Sequence, residues 1–535
     1  MPRPNEVASS VSANITVEEI PALVSKLRNS FNTDKTKQKS WRVSQLNALN
    51  RMLTEGRDEL ARSLFDDMRC SPFEAYMQQI AMLQQEIYDV LQHLDEWMAD
   101  EPVATNLFNF PAQSVVKKDP LGVVLALGAW NYNILLTLSP LIGAIAAGNC
   151  CLVKPGSYAY NSSHAMVRLI PLYMDTDCIA CVEGNRQITT AILNEKFDAM
   201  FFTGSPSVGK IVALAAAKQL CPVVLELGGK SPCIVTESAK GSLTVPLAMA
   251  GGAGGSLMVT ARRIVWGALL NSGQTCVRPD TFFVHESVVD ELIVNMITVM
   301  REFYSGEAYK SEYYGRLVNE AAFDRLEQCL ETDKKYIAYG GSRKRDELFI
   351  EPTIVNFGSD WKAFENSALM SDEIFGPILP FITYTNLDEQ VLPFIRARPK
   401  PLALYLFCND SVQAEHVLCN TSSGAAVVND VVVHLSNPEL PFGGVQESGL
   451  GSYHGKRTFD NFSHHKAVLK RTVIIDPPQR YAPYTTDKVM VMNLAFFPPI
   501  NYYFFKFIHL VSDKKNLALA LLGLLHVRNL WKSKL

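Results

Sequence analysis

The stretch LGVVLALG, Leu121–Gly128, is apolar throughout and does not alternate. A strand with one face in water would place a polar residue at every second position, so an unbroken apolar run of this length reads as a strand covered on both faces. The same texture returns in CCLVKP (Cys150–Pro155), DAMFFTG (Asp198–Gly204) and PVVLELGG (Pro222–Gly229). Helical segments separate these runs: SPLIGAIAAG (Ser139–Gly148) and VGKIVALAAAKQL (Val208–Leu220). Such alternation predicts an α/β fold whose parallel sheet binds ligands where loops leave the carboxyl ends of the strands.

Upstream, residues 17–100 carry apolar residues at three- and four-residue spacing, which predicts an amphipathic helical hairpin or bundle. A stretch with Pro102 and Pro111 follows, read as a linker or an oligomerisation strand over 102–120. Downstream, a second set of strands and helices from Ser231 to about Asn429 predicts a second α/β domain. AAVVNDVVVHL (Ala425–Leu435) and PFGGVQESGLGSYHG (Pro441–Gly455) suggest a strand and loop that close a site or join subunits. The expected division is a flexible 1–16, a first domain over 17–229, a second over 230–430, a closing and oligomerisation element over 431–470, and a tail over 471–535. The low-charge segment Gly241–Met258 reads as a loop or insertion without an assigned function.

With 48% hydrophobic and 19% charged residues among 535, the chain is expected to fold, because disorder needs the opposite balance. A net charge of -4 predicts no footprint for nucleic acid. Eleven scattered cysteines favour free thiols in a reducing compartment. The first twenty residues lack the apolar core of a secretory signal and the arginine-rich pattern of a transit peptide. The carboxyl end differs: LAFFPPINYYFFKFIHLV (Leu494–Val511) and LALALLGLL (Leu517–Leu525) are aromatic and apolar, with Lys514, Lys515, Arg528, Lys532 and Lys534 around them. Each falls short of the about 20 clean apolar residues of a spanning helix. A monotopic anchor seated on a cytosol-facing membrane is expected, the alternative being a terminal helix that covers an apolar groove.

Thiol chemistry needs a nucleophile, donors for an oxyanion, a base and an acceptor for the departing electrons. Cys276, in NSGQTCV (Asn271–Val277), follows residues that permit a tight exposed turn, although a lone cysteine is also consistent with a buried thiol. Asn131, in GAWNYN, ends an apolar strand where its amide could reach an oxyanion or cap a helix. Glu226, in LELGGK, ends another strand before two glycines, a setting for a desolvated base or for a salt-bridged strand end. Glu373, in SDEIFGP, is a further carboxylate beside an aromatic, Phe375. The turn Gly204-Ser205-Pro206-Ser207-Val208-Gly209 could bring backbone amides to a pyrophosphate, though glycine turns of this kind are common. Cys178 and Cys181 read as packing residues, and His434 and His454 lack ligand spacing, so no metal is assigned.

GAWNYN, LIGAIAAGN, LVKPG, FFTGSPSVGK, LELGGKSP, NSGQTCV, EIFGP and LPFGGV, in this order, closely resemble the aldehyde dehydrogenase superfamily. The upstream helices with RPKPLALYLF, GSYHGKRTFDNFSH and RYAPYT resemble its class 3 branch, which includes the fatty aldehyde dehydrogenases, over roughly Val17 to Tyr484. The resemblance implies a Rossmann-type cofactor domain, a catalytic α/β domain and a small oligomerisation element forming a homodimer. It implies Cys276 as nucleophile, Asn131 and the Cys276 N–H as oxyanion donors, and Glu226 as general base. Lys154 matches the lysine at the adenosine ribose and Gly204, Ser205, Val208 and Gly209 the turn under the cofactor; Glu373 is implied either as a contributor to the base or as a nicotinamide-ribose ligand, with Phe375 also on the cofactor side. The implied cofactor is NAD, with NADP used by some members. Asn133, Ser157 and Arg278 depart from residues the family usually carries there. The implied reaction oxidises aldehydes to acids through a cysteine thiohemiacetal and thioester; the membrane-seeking tail points to long-chain aliphatic aldehydes as substrate, with apocarotenoid aldehydes as the rival substrate and a catalytically weak membrane scaffold as the rival role.

Overall fold

The computed structural model describes residues 15–240, 256–474, 476, 478–489 and 496. The N-terminal residues read as flexible, most of the Gly241–Met258 segment and nearly all of the apolar tail lie outside the described residues. By their contacts the residues form two units: Met1–Trp97 with Pro120–Ser463, and Met98–Asp119 with His464–Leu535. The smaller unit is built on a three-stranded sheet of Glu101–Val103, Gln113–Pro120 and Ser463–Lys470. The stretch around Pro102 and Pro111 therefore contains strand, and Lys117–Asp100 and Lys118–Glu101 ion pairs tie its first two strands together.

In the larger unit, helices α1 (Ile20–Phe31), α2 (Lys39–Glu55), α3 (Arg57–Met68) and α4 (Ala81–Met98) occupy the region whose apolar spacing predicts helix. In α4 the buried Leu83, Ile87, Val90, Leu94 and Trp97 recur every three or four residues, the stripe of a helix with one face in the core. Removing each such side chain from water contributes about 1.5–3 kcal/mol. Just before α4 the chain makes a π-turn at Tyr76–Ile80, which aims the buried Gln79 at the next layer.

The first sheet consists of parallel strands β1 (Val123–Leu127), β2 (Cys150–Lys154), β3 (Ile179–Cys181), β4 (Ala199–Thr203) and β5 (Val223–Glu226), in the order β5-β4-β1-β2-β3. Every residue of β1, β2 and β4 is buried, as unalternating apolar runs require. Helices α5 (Asn133–Ala147), α6 (Tyr160–Tyr173), α7 (Arg186–Asn194) and α8 (Pro206–Gln219) connect the strands. The strand order reverses between β1 and β4, which opens a crevice at their carboxyl ends. Register aligns Leu127 with Lys154 and Phe202, and Thr203 with Glu226, so Lys154 and Glu226 reach the same edge of the sheet.

The second sheet consists of β6 (Pro232–Val235), β7 (Thr281–His285), β8 (Ile337–Tyr339), β9 (Thr353–Asn356), β10 (Ile378–Tyr384), β11 (Ala403–Phe407) and β12 (Ala425–Val428), with α9 (Ser256–Leu269) between β6 and β7. Its order is β8-β9-β10-β7-β6-β11-β12, parallel except for β8 against β9. Phe283, Phe364 and Phe394 pack edge to face or tilted in its core. The glycine-rich segment after β12 returns to the first sheet as β13 (Gly449–Leu450), antiparallel to β5 with Gly449 opposite Glu226. Among the described residues no helix is long and apolar enough to cross a membrane.

Candidate active site

The turn before Cys276 is built from residues that tolerate left-handed backbone: Asn271 (φ 50), Ser272 (φ 54) and Gly273 (φ 78). A Cβ at Gly273 would lie 2.3 Å from the carbonyl oxygen of Gly376, so only glycine lets this turn pass so close to the loop before β10. Gln274 is fully buried and donates from its amide to the carbonyls of Asn271 and Arg316 at 3.0 Å each, while its Oε1 accepts from the Val318 N–H at 2.9 Å. The small polar approach thus serves to hold the turn. Of the other ten thiols eight are buried, whereas Cys276 is partly accessible and lines a cleft. Burial, then the carboxyls of Glu373 and Glu226, push its thiol up to about 12.

Asn131, just past β1, is buried; its amide donates to the Gln274 carbonyl at 3.1 Å, and the Asn271 amide donates back to the Asn131 carbonyl at 2.7 Å. One amide hydrogen of Asn131 stays uncommitted beside the cysteine turn. The Tyr132 hydroxyl and Thr275 Oγ1 share a 2.7 Å bond, and Gln79 Oε1 accepts from the first amides of α5, Ile134 and Leu135, at 3.0 and 3.3 Å. Asn133 holds the next loop: its Oδ1 accepts from the Gly156 N–H at 2.8 Å and its amide donates to Ser162 and Ser163.

Glu226 ends β5 at 2% exposure, and neither carboxyl oxygen has a hydrogen-bond partner among the described residues. Burial alone lifts it well above the usual carboxylate range. The salt-bridged alternative for Glu226 does not occur. Glu373 is held differently: its carboxyl accepts from the Gly229 N–H and lies so close over Gly228 that a Cβ there would fall 1.9 Å from Oε2. Burial, opposed by that bond, sets Glu373 at about 8. Phe375 adopts a left-handed backbone (φ 49) and meets Trp130 edge to face at 5.4 Å.

The cleft has a volume of about 860 Å³ and brings together Asn131, Lys154, Glu226, Cys276, Glu373 and Phe375. Gly204, Ser205 and Val208 line it too, at the amino end of α8, where Ser205 caps the helix. Gly209 stands behind this wall, with space for no Cβ against Leu227, and serves helix-to-strand packing. Lys154 is buried, donates to Pro155 O at 3.2 Å and Ser157 Oγ at 3.0 Å, and has no carboxylate partner; burial lowers it to about 8. A helix amino end suited to a pyrophosphate, a buried amine beside the Ser157 hydroxyl and two carboxyls in the same elongated cleft fit a nicotinamide dinucleotide. The sequence reading found all of these groups. How Arg278, Asp280 and Lys230 lock the loops together was not legible there, although Lys230 stands in LELGGKSP and Arg278 directly follows NSGQTCV.

A profile of the aldehyde dehydrogenase family matches residues 1–468. The chain is 41% identical over 479 residues to aldehyde dehydrogenase family 3 comG of Dictyostelium discoideum, covering 89% of this chain and 97% of that protein. It is 39% identical to the dimeric NADP-preferring aldehyde dehydrogenase of Mus musculus, over 85% and 96% of the two chains. It is 40% identical to the 4,4'-diaponeurosporen-aldehyde dehydrogenase of Staphylococcus aureus, over 85% and 94%. A solved substrate-bound state of Staphylococcus aureus AldH superposes with a TM-score of 0.84 at 38% identity, over 90% of this chain and all of that one. With its Rossmann-type sheet and its cleft for NAD or NADP, the chain belongs to the class 3 branch of the aldehyde dehydrogenase family and is an NAD(P)-dependent aldehyde oxidoreductase.

Proposed function

We propose that the chain oxidises long-chain aliphatic aldehydes to carboxylic acids by thiol catalysis at Cys276. The observation that carries the chemistry is the meeting of an accessible thiol, an amide hydrogen to spare and an unpartnered carboxyl in one cleft. The Cys276 sulfur attacks the aldehyde carbon, and the Asn131 amide with the Cys276 N–H receives the oxyanion. Bound NAD or NADP supplies the hydride acceptor that turns the thiohemiacetal into a thioester. Glu226, unpartnered and desolvated, takes a proton from the thiol, passes it to solvent, and as carboxylate again takes a proton from the water that releases the acid. Lys154, Gly204, Ser205 and Val208 hold the dinucleotide at its adenosine and pyrophosphate parts, with Gly209 packing behind them, and Glu373 with Phe375 sets the nicotinamide end.

The substrate class rests on the apolar and aromatic tail, which would seat the enzyme on a cytosol-facing membrane, of the endoplasmic reticulum, a lipid droplet or the mitochondrial outer membrane, where lipid aldehydes reside. The Staphylococcus aureus relative's name favours a second reading, an apocarotenoid aldehyde. A homodimer is part of the proposal, supported by the exposed Ile211 and Leu214 along α8 and by the mouse relative's name. NAD(P)H formation with hexadecanal, lost in Cys276→Ala, tests the reaction. Competition between hexadecanal and a long apocarotenal separates the substrates, and clear preference for a short water-soluble aldehyde would end the membrane argument.

A further inference from the structure

Arg278 is among the largest fully buried side chains of the protein, at 1% exposure, two residues past Cys276. A buried guanidinium costs several kcal/mol of desolvation unless its donors are met. Here Nη1 donates to the carbonyl of Gly376 at 2.7 Å and Nη2 to that of Ile378 at 2.9 Å, so the planar fork spans both ends of the Pro377 step at the entry to β10, while the buried Nε has no partner among the described residues. Its charge is met by Asp280, 3.6 Å away and equally buried. Asp280 Oδ1 accepts from the Ile374 N–H at 3.1 Å, and Oδ2 pairs with Lys230 Nζ at 2.5 Å. Lys230, four residues beyond Glu226, donates in turn to the carbonyls of Leu369 and Asp372 at 2.6 and 3.0 Å.

These contacts all converge on the loop that carries Glu373 and Phe375. The left-handed Phe375 lies between Ile374, whose N–H is bound by Asp280, and Gly376, whose carbonyl is bound by Arg278. From the outer side Arg325 donates to the carbonyls of Glu373 and Ile374. The cysteine turn, by contrast, has supports of its own in Gln274, Asn271 and the Tyr132–Thr275 bond. Loss of Arg278 would therefore be felt first in the loop opposite the thiol.

We propose that Arg278, with Asp280 and Lys230, is a positioning residue: a buried charge clamp that sets the distance between the Cys276 turn and the loop presenting Glu373 and Phe375 to the cofactor. The clamp rests on the dehydrogenase reading above and adds a role for a residue that touches neither substrate nor reacting atoms. Lysine offers a shorter-reaching point charge in place of the planar two-pronged fork, so Arg278→Lys keeps the charge and loses the fork.

The test measures three quantities on the full-length protein and on Arg278→Lys: NAD(P)H formation with hexadecanal, dissociation constants for NAD and NADP by fluorescence titration, and hydrolysis of p-nitrophenyl acetate, which needs the thiol and oxyanion donors but no hydride acceptor. Misplacement of the loop predicts cofactor affinity and dehydrogenase turnover each lower by about tenfold, ester hydrolysis unchanged, and faster hydrogen exchange across residues 369–378. Parallel loss of both activities with unchanged cofactor affinity would overturn the clamp and leave Arg278 as fold support only. Should Arg278→Lys fail to fold, Asp280→Asn probes the same clamp from its anionic side, with the same split expected. A wild-type protein lacking both activities would instead sink the enzyme reading, so the two failures are distinct.

Discussion

Glu226 and Glu373 face one cleft from opposite sheets, and both are lifted out of the usual carboxylate range by burial, yet they are held in opposite ways. Glu226 stands at the end of β5 with neither oxygen bonded, whereas Glu373 rests on the Gly228–Gly229 backbone within a loop fastened by two arginines and an aspartate. An unpartnered carboxyl keeps its lone pairs for a proton and can move to collect it. A seated one serves to place something else. A pKa raised by burial therefore does not fix the work a carboxyl does, and the hydrogen-bond partners tell the two apart.

The comparison breaks most readily by exchange of each carboxyl for its amide. Glu226→Gln is expected to lower steady-state aldehyde oxidation by about 100-fold or more, the scale of a lost general base, with the melting temperature held or raised because an unpaired buried acid is removed. A comparable fall in Glu373→Gln would contradict the division of labour. A pH series sharpens it further. Each acid is protonated below its pKa, so the basic form of Glu226 and the Cys276 thiolate both grow with pH; activity should climb from neutral into the alkaline range. Glu226→Gln should leave only the thiolate's share of that rise, and Glu373→Gln should leave the whole of it in place.

A smaller effect is expected on the seated side. In Gly228→Ala the new Cβ would occupy the position of the Glu373 carboxyl. Such overpacking costs about 1–3 kcal/mol, and fluorescence titration should register it as weaker binding of NAD and NADP while p-nitrophenyl acetate hydrolysis persists. Unchanged cofactor binding in this variant would mean that the seat of Glu373 is irrelevant to the dinucleotide. Smallest of all, Glu373→Gln retains an acceptor for the Gly229 N–H and should change cofactor affinity by only about fivefold, the scale of one hydrogen bond.

Much of this was legible in the chain because local rules act over short distances. Unalternating apolar runs announced β1, β2 and β4, and the Leu and Met spacing announced α4. Gly273 was readable as part of a tight turn, but that it clears the Gly376 carbonyl was not, since the two are about a hundred residues apart. The stretch around Pro102 and Pro111 left linker and strand open; pairing of Glu101–Val103 with Gln113–Pro120 makes it strand, and pairing is a property of two segments. Glu226 was readable as a base or as a salt-bridged strand end, and only its surroundings reveal that no cation approaches it.

The amino-acid sequence by itself determined the identity and order of the chemical groups: a thiol after a turn of small residues, a carboxyl and an amide at strand ends, a glycine turn before a helix. These follow from periodicity and turn chemistry, which operate within about ten residues. Tertiary structure decided what each group can do. It left Glu226 without a partner, seated Glu373 on Gly228, and carried the Arg278 fork to carbonyls 98 and 100 residues further along the chain. Desolvation and the sharing of hydrogen bonds depend on which segments meet in space, and no local pattern encodes that meeting.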